Sequence, residues 1–313
     1  NKGAFYNCSG LASITIHESV TSIEYGTFSG CSGLTSITIP DSVTSIGRGA
    51  FSGCSGLTSI TIPDSITSIS YGAFKDCSGL TDVYYQGDLS GWVKIEFDDY
   101  TSNPTTHTDN LYINGELLKG DIIIPEGTEK LGDYAFSSCS SITSITIPDS
   151  VTSIESSTFY NCSGLTSITI PDSVTSIGSY AFYGCSGLTS ITIPDSVISI
   201  GSSAFYNCRG LTSITVEQGN AVYHSAGNCI IKTASKTLIA GCKNSVIPDD
   251  GSVTSIGSYA FRGCSGLTSI TIPDSVTSIG RSAFEDCRGL TSIDYQGTMA
   301  QWKAISKGSG WGY

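Results

Sequence analysis

Cysteine is the residue with the most chemical potential in this chain, because thiols can pair as disulfides, bind metal ions or act as nucleophiles. The 313 residues include 12 cysteines, but the 3 histidines, His17, His107 and His224, lie in unrelated sequence contexts. No C-x-x-C pair occurs, so the donor spacing of a zinc site is missing. The sequence therefore predicts no metal site and no cofactor.

Ten of the cysteines recur with a fixed period. They lie 23 residues apart within three runs, and a Phe precedes each of them by three residues. One such residue per unit is typical of a ladder in a stacked repeat protein, where cysteine acts as a small buried apolar side chain. Ladder neighbours about 5 Å apart with parallel side chains suit a disulfide badly, so we expect free thiols. The ten are Cys8, Cys31, Cys54, Cys77, Cys139, Cys162, Cys185, Cys208, Cys264 and Cys287.

The remaining two cysteines, Cys229 and Cys242, flank the stretch 230–239, which alternates apolar and polar residues around a polar centre. This pattern predicts a hairpin centred near residues 235–236, which would place Cys229 opposite Cys242. The pair is a disulfide candidate, and two free thiols are the alternative.

Each 23-residue unit can be read as one coil of a solenoid. In residues 165–187, Leu-x-x-Ile-x-Ile is a short strand that Pro171 ends, because proline has no N–H for a ladder. Asp172 and Ser173 indicate a turn, a second extended stretch follows to Ile177, and one helical or 3₁₀ turn precedes the cysteine. A single unit cannot bury its apolar face, but stacked units can. The predicted fold is a β-rich, leucine-rich-repeat-like solenoid with a parallel β-sheet on one face and short extended and 3₁₀ or helical turns on the other.

The repeat LxxIxIPxxVTxIGxxAFxxC resembles the BspA-like, Treponema-type leucine-rich repeat over nearly the whole chain. It lacks the Asn that follows the strand in the commoner leucine-rich repeat. The resemblance implies a right-handed, horseshoe-like solenoid of bacterial or protozoan surface proteins, whose members include adhesins that bind host matrix proteins. It also implies an extracellular or cell-surface location.

Breaks in the period predict how the single solenoid, residues 1–313, is organised. The chain begins in mid-repeat, which predicts that the array continues before residue 1. The predicted segments are regular repeats in 1–79, an insertion with a short helix and a hairpin in 80–118, regular repeats in 119–210, a hairpin-containing irregular repeat in 211–247, regular repeats in 248–289, and a terminal Trp-containing module in 290–313.

The outer side of the predicted sheet is the natural binding surface of such a solenoid. Its Ser and Thr side chains would form a shallow polar groove for a protein or glycan, or they are simply soluble strand-forming residues. A regular Thr array also resembles an ice-binding surface, but the alternating Ser and the interrupted array argue against that function. The positions are Ser36, Thr38, Ser59, Thr61, Ser144, Thr146, Ser167, Thr169, Ser190 and Thr192.

Aromatic residues of the first insertion form a second candidate surface. Tyr84, Trp92 and Tyr100 could stack a sugar or a partner chain, whereas the structural interpretation has Trp92 cover the core beside Ile95 on a short helix. The following loop, residues 98–109, carries three aspartates that could hold Ca²⁺, but it lacks the D-x-D-x-D-G spacing.

Composition excludes several classes of function. The net charge of −12 argues against nucleic-acid binding. The sequence contains no run of 18 apolar residues, so it does not predict a membrane-spanning helix. Aspartate recurs in the turn of most units, which is typical of a turn former rather than a catalyst. We therefore predict a non-enzymatic, extracellular, monomeric scaffold that binds a host or matrix protein or a glycan. The alternatives are a structural spacer of a larger surface protein and a carbohydrate-binding module that uses the insertion aromatics.

Overall fold

The computed structural model describes residues 2–312 and folds them into a β-solenoid in which each 23-residue unit makes one coil. Its secondary structure consists of short strands with little helix. The strands are β1 (Ser22–Ile23), β2 (Ser45–Ile46), β3 (Ser59–Ile62), β4 (Ser68–Ile69), β5 (Asp82–Tyr85), β6 (Glu96–Phe97), β7 (Leu111–Ile113), β8 (Glu116–Leu117), β9 (Gly120–Ile123), β10 (Lys130–Leu131), β11 (Ile142–Thr146), β12 (Ser153–Ile154), β13 (Ser167–Thr169), β14 (Ser176–Ile177), β15 (Ser190–Ile193), β16 (Ser199–Ile200), β17 (Ser213–Val216), β18 (Tyr223–Ala226), β19 (Cys229–Lys232), β20 (Thr237–Gly241), β21 (Ser255–Ile256), β22 (Ser269–Ile272), β23 (Ser278–Ile279), β24 (Ser292–Tyr295) and β25 (Ser306–Lys307).

Two stacks of parallel strands run along the solenoid. The front sheet is formed by the Leu-x-x-Ile-x-Ile segments and has the hydrogen-bonded orders β3-β5-β7-β8, β13-β11-β9, β15-β17 and β22-β24. The side sheet is formed by the Ser-Ile pairs, in the orders β1-β2-β4-β6, β10-β12-β14-β16 and β18-β19-β20-β21-β23-β25. In the regular coils paired residues lie one unit apart, as Ser22 and Ser45 do, because each strand pairs with its copy in the next coil.

The third side of each coil, which we call the turn face, joins the side sheet to the next front strand. In the segment 24–31, the N–H of Cys31 donates to the Phe28 carbonyl three residues earlier, as in a 3₁₀ helix. The N–H of Phe28 instead donates to Ala50 in the next coil at 2.8 Å. Left-handed residues such as Gly30, with φ of 76°, interrupt the turns, so no continuous helix forms here.

Stacked side chains fill the interior. Phe182 packs between Phe159 and Phe205 with ring centroids 5.4 and 5.6 Å apart, and the rings are nearly parallel. This Phe ladder is interrupted twice, after Phe74 and after Phe205, where the two insertions enter. Leu, Ile, Val and Cys of each coil surround the ladder as the repeat predicted.

The insertion 80–118 adds strands to the front sheet and rebuilds one turn. Helix α1 (Leu89–Trp92) follows β5, and the Asp88 side chain caps it by accepting from the N–H of Gly91. The 3₁₀ helix η1 (Pro104–His107) replaces the turn face of this coil. The predicted Asn-Gly hairpin is present as the antiparallel pair β7–β8, and β9 follows it.

The second insertion, in the irregular repeat 211–247, forms a small sheet across the solenoid, which we call the wall. Strands β18, β19 and β20 form an antiparallel meander whose last strand pairs with β21, so the meander extends the side sheet. Ile230 and Cys242 pack with the core cluster that precedes the wall, whereas Cys229 and Ile231 pack with the cluster that follows it. The alternation of strand side chains therefore divides the core in two.

The helices in residues 2–312 are short. Helix α2 (Met299–Ala304) has six residues and begins with a capping box between Thr298 and Gln301. Neither α1 nor α2 has the length or the apolar character that a helix needs to cross a membrane.

Candidate functional site

The outer side of the front sheet presents the predicted Ser and Thr positions in register. Ser144 and Thr146 pair with Ser167 and Thr169, so like residues form rows along the solenoid. The isoleucine between them, Ile145, points into the core and is buried. The side chains of the rows are exposed at Ser36, Thr38, Thr146, Ser167, Thr169, Ser190 and Thr192 and half-exposed at Ser59, Thr61 and Ser144.

At the first insertion, large side chains replace the Thr row. Tyr84 pairs with Thr61 and Tyr112 pairs with Tyr84, and the two tyrosine rings stack with centroids 4.6 Å apart. On the far side of the insertion, Ile123 pairs with Thr146 and is 74% exposed. We call Tyr84, Tyr112 and Ile123 the front patch. These three side chains are the large groups that take Thr positions on the outer side of the front sheet on the two sides of the insertion.

Carboxylates replace the Ser row at the same coils. Asp82 pairs with Ser59, and Asp121 pairs with Ser144. The Ser144 hydroxyl donates to the Asp121 carboxylate at 2.6 Å, and such hydrogen bonds lower the pKa of Asp121. Desolvation is the main cause that raises the pKa of Tyr112, and the negative charge of the nearby Asp82 carboxylate raises it further. The front patch is thus flanked by negative charge.

The insertion aromatics divide into three different environments. Tyr84 belongs to the front patch, and Tyr100 is exposed on the turn face, where its ring stacks on Tyr160 at 6.4 Å. Trp92 has no exposed surface, and its Nε1 donates to the Ala135 carbonyl at 2.7 Å. The expectation that Trp92 binds a ligand is therefore corrected, because its ring is inaccessible. The alternative interpretation, in which Trp92 covers the core, is the one that the structure supports.

Sequence reasoning missed Tyr112 and Ile123. The signal was present, because both follow the apolar residues of a front strand at the position that Thr occupies in a regular unit. Because the hairpin interrupts the 23-residue period, the sequence did not show that these two residues occupy the Thr position. Their register became visible only when β7 and β9 were paired with β5 and β11.

The aspartate-rich loop is part of the coil rather than a free recognition element. Thr105 is fully buried and donates to the Ser137 carbonyl at 2.7 Å. Asp98 and Asp99 accept from backbone N–H groups of the preceding coil, so these carboxylates cap main-chain donors. His107 lies 2.7 Å from the Phe74 carbonyl, which it contacts in place of a ladder thiol.

The carboxylates of Asp172, Asp195 and Glu217 each offer an oxygen within 4.8 Å of the others, and all three are exposed. They belong to the turns of successive coils. Asp172 and Asp195 are like turn residues one unit apart, whereas Glu217 stands where the regular units carry the proline that ends the front strand.

The candidate disulfide between Cys229 and Cys242 is not formed; both thiols are free and buried, which was the alternative. The turn of the hairpin lies one position earlier than expected, with Lys232 opposite Thr237, and a β-bulge between Ile230 and Ile231 follows, so that Cys229 lies opposite Gly241 rather than Cys242. Successive strand residues point to opposite faces, so a shift of one residue sends the two thiols to opposite sides of the wall.

The ladder thiols make a repeated contact with the backbone. In the regular coils the Sγ–H donates to the carbonyl of the Phe one coil earlier, as Cys185 does to Phe159 at 3.1 Å. Burial raises the pKa of Cys54 and Cys208 to about 12 and that of Cys162 well above its usual value. A thiol that stays protonated is a poor nucleophile, so these residues are structural.

We expect the folded protein to expose one fast-reacting thiol, Cys8, to protect the ten buried thiols, and to react more slowly at the half-buried Cys264 than at Cys8. Because burial raises the pKa of ladder thiols such as Cys54, Cys162 and Cys208, their protection should persist as the pH is raised from about 8 to about 10. Titration with a chromogenic disulfide reagent counts the reactive thiols of the folded protein without denaturant and all free thiols with denaturant. Twelve thiols in denaturant are expected, and a count of ten there would show that a disulfide exists.

Comparison with known proteins agrees with this architecture. The sequence profile of the BspA type leucine rich repeat region matches the chain in six copies, over residues 1–103, 105–227 and 235–306. No curated protein matches the chain.

Among solved structures, a leucine-rich cell surface protein from Faecalibacterium prausnitzii is similar, with 29% identity and a TM-score of 0.51, covering 94% of this chain and 90% of that one. A leucine-rich repeat protein from Bacteroides ovatus has 26% identity and a TM-score of 0.51, with 96% and 85% covered. The family profile spans most of the chain, and the structure shows the matching coils. The chain therefore belongs to the BspA-type leucine-rich repeat family.

Proposed function

We propose that this chain is a non-enzymatic cell-surface scaffold that binds an extracellular protein through its front sheet. The observation that carries the proposal is the front patch: two stacked tyrosines and an exposed isoleucine interrupt rows of small polar side chains. Large side chains among rows of small polar ones support a protein-binding role, because protein interfaces combine aromatic and apolar anchors with a polar rim.

Several observations support binding rather than catalysis. The family and the similar structures are repeat proteins. The carboxylates near the front patch hydrogen-bond to neighbouring hydroxyls, and the histidines lie far apart in the sequence. The similar protein from F. prausnitzii is described as a cell surface protein, which supports an extracellular location for this chain.

The test is binding of the monomeric protein to immobilised fibronectin, fibrinogen, collagen and mucin, measured for the native chain and for a triple variant. The variant Tyr84→Thr, Tyr112→Thr, Ile123→Thr restores the residue of the regular repeat at each position and should therefore fold. If the front patch is the centre of the interface, the variant should lose at least about tenfold in affinity for the bound protein, as hot-spot removal does.

The matched control is Ile198→Thr. Ile198 is also an exposed isoleucine at a position where other units carry Thr, but it lies beside the side sheet. Its replacement should leave binding unchanged. Equal losses for both variants would contradict a front-sheet site, and no binding to any of the four ligands by the native chain would favour a structural spacer.

A further inference from the structure

A groove lies on the turn face of the first coils, away from the front sheet. It has a volume of about 240 Å³ and runs across the coils that contain Gly26, Gly49 and Gly72. One rim is formed by Tyr25, Arg48 and Tyr71, which occupy the same position in three successive units. The opposite rim is formed by Tyr6, Ser29, Ser52 and Lys75.

The floor of the groove exists because the floor residue in these coils is glycine. Gly26, Gly49 and Gly72 have φ of 58°, 61° and 67°, a left-handed conformation that glycine adopts without strain. In later units the same position, five residues before the ladder cysteine, carries Tyr or Ser with a similar positive φ. These residues are Tyr134, Ser157, Tyr180, Ser203, Tyr259 and Ser282.

A tyrosine at the floor position reaches across to the opposite rim. The Tyr180 ring packs edge-on against Tyr183 of the opposite rim, with centroids 6.0 Å apart. The fold therefore accepts a side chain at this position, and the early coils keep the space open. The open space is a local property of residues 25–75 rather than a consequence of the repeat.

The rims combine exposed aromatic rings with unpaired cations. Tyr25 and Tyr71 are more than half exposed and stand two coils apart, about 10 Å. Arg48 occupies the equivalent position in the coil between these tyrosines, and its guanidinium lies 5.4 Å from the centre of the Tyr71 ring. Within residues 2–312, neither Arg48 nor Lys75 forms an ion pair.

We propose that this groove binds an acidic oligosaccharide that carries few charges. Tyrosine rings offer rigid amphipathic surface for the C–H faces of sugar rings, and the Ser29 and Ser52 hydroxyls can exchange hydrogen bonds with sugar hydroxyls. Arg48 and Lys75 supply the charge-assisted donors that a carboxylate requires.

Charge complementarity also limits the ligand. The chain as a whole carries −12, and the Asp98 and Asp99 carboxylates accept from the N–H groups of Tyr71 and Gly72 at one end of the groove. A densely charged polyanion is therefore repelled, while a single carboxylate can meet Arg48 and Lys75. A glycan with one carboxylate among neutral rings satisfies both conditions.

The experiment is a calorimetric titration of the full chain with 3′-sialyllactose and with lactose, which differ by the carboxylate-bearing sugar. Sialyllactose should bind, and lactose should bind at least about tenfold more weakly, the difference expected for a hydrogen-bonded charge. The variant Gly49→Tyr, which copies the floor of later coils, should abolish binding while the protein stays folded. The double variant Arg48→Gln, Lys75→Gln should lower the affinity for sialyllactose to that for lactose.

The matched control is Arg281→Gln. Arg281 occupies the Arg48 position in a later unit, but Ser282 fills the floor beside it, so its replacement should leave the affinity unchanged. The proposal is overturned if sialyllactose does not bind, if lactose binds equally well, or if Gly49→Tyr retains full affinity. A tetraglutamate peptide that binds more tightly than sialyllactose would also overturn it, because the groove would then recognise acidic protein segments.

Discussion

Replacing Phe182 by alanine should lower the free energy of unfolding by about 3–5 kcal/mol, the range found when a core Phe is truncated. Phe182 is fully buried and stacked on both faces, against Phe159 and Phe205. The cavity cannot collapse easily, because the backbone of each coil is hydrogen-bonded to the coils on both sides, as the Phe182 N–H is to Ala204. Denaturant unfolding followed by circular dichroism measures the change.

Phe5 provides the control for this prediction. It belongs to the same ladder but is only partly buried and stacks on Phe28 alone. Phe5→Ala should therefore cost clearly less than Phe182→Ala. An unchanged unfolding midpoint for Phe182→Ala would contradict the ladder as the basis of stability.

Replacing Trp92 by alanine should destabilise the protein at least as strongly, by roughly 3–5 kcal/mol, with a further contribution from the unpaired Ala135 carbonyl. Trp92 fills the core where the Phe ladder is interrupted, between Tyr85 and Phe97, each with its centroid 5.4 Å away. Its Nε1–H also joins the insertion to the coil that follows it. The same unfolding measurement applies.

The terminal module supplies a matched control, because Trp302 occupies the same place in the shared Tyr-Gln-Gly-x-x-x-x-Trp motif. Trp302 is half-buried, and its ring is covered by Trp311 and Lys307 near the end of the solenoid. Trp302→Ala should cost much less than Trp92→Ala. Trp92→Phe should retain most of the packing and lose about 1–3 kcal/mol through the hydrogen bond. Equal losses at Trp92 and Trp302 would refute the central role of Trp92.

The regular coils follow directly from the repeat. Ser22 pairs with Ser45 and Ser144 with Ser167, each one unit apart, as a period of 23 residues requires of stacked parallel strands. The core positions were predictable for the same reason: a residue type that recurs once per coil must stack on its own copies. The exposure of Thr146 and Thr169 follows from the alternation of strand side chains.

The insertions were predictable only in their local parts. The Asn114-Gly115 hairpin and the short helix of Trp92 carry strong local signals and are present. Their placement depends on pairing with distant segments. The front patch exists because β7 pairs with β5 and β9 pairs with β11, which local patterns do not specify.

The hairpin of Cys229 shows the limit most clearly. Its two strands were recognisable, but the turn lies one position earlier than expected and a bulge follows it, so Cys229 lies opposite Gly241 and both thiols are free. A shift of one residue costs little locally, so the packing of two separate core clusters on the two faces of the wall decides the register.

The period alone was sufficient to establish the solenoid, its ladder of free thiols and the outward rows of Ser and Thr, because each of these depends only on a coil and its identical neighbour. The tertiary structure determined which side chains come together on the front sheet and in the groove, the two surfaces where the units differ. The strands of the insertion pair with the front sheet, and this pairing places Tyr84, Tyr112 and Ile123 on its outer side. The groove lined by Tyr25, Arg48 and Lys75 exists only because three glycines stack beneath these side chains. Such sites depend on which side chains adjacent coils bring together, and that information lies between repeats rather than within one.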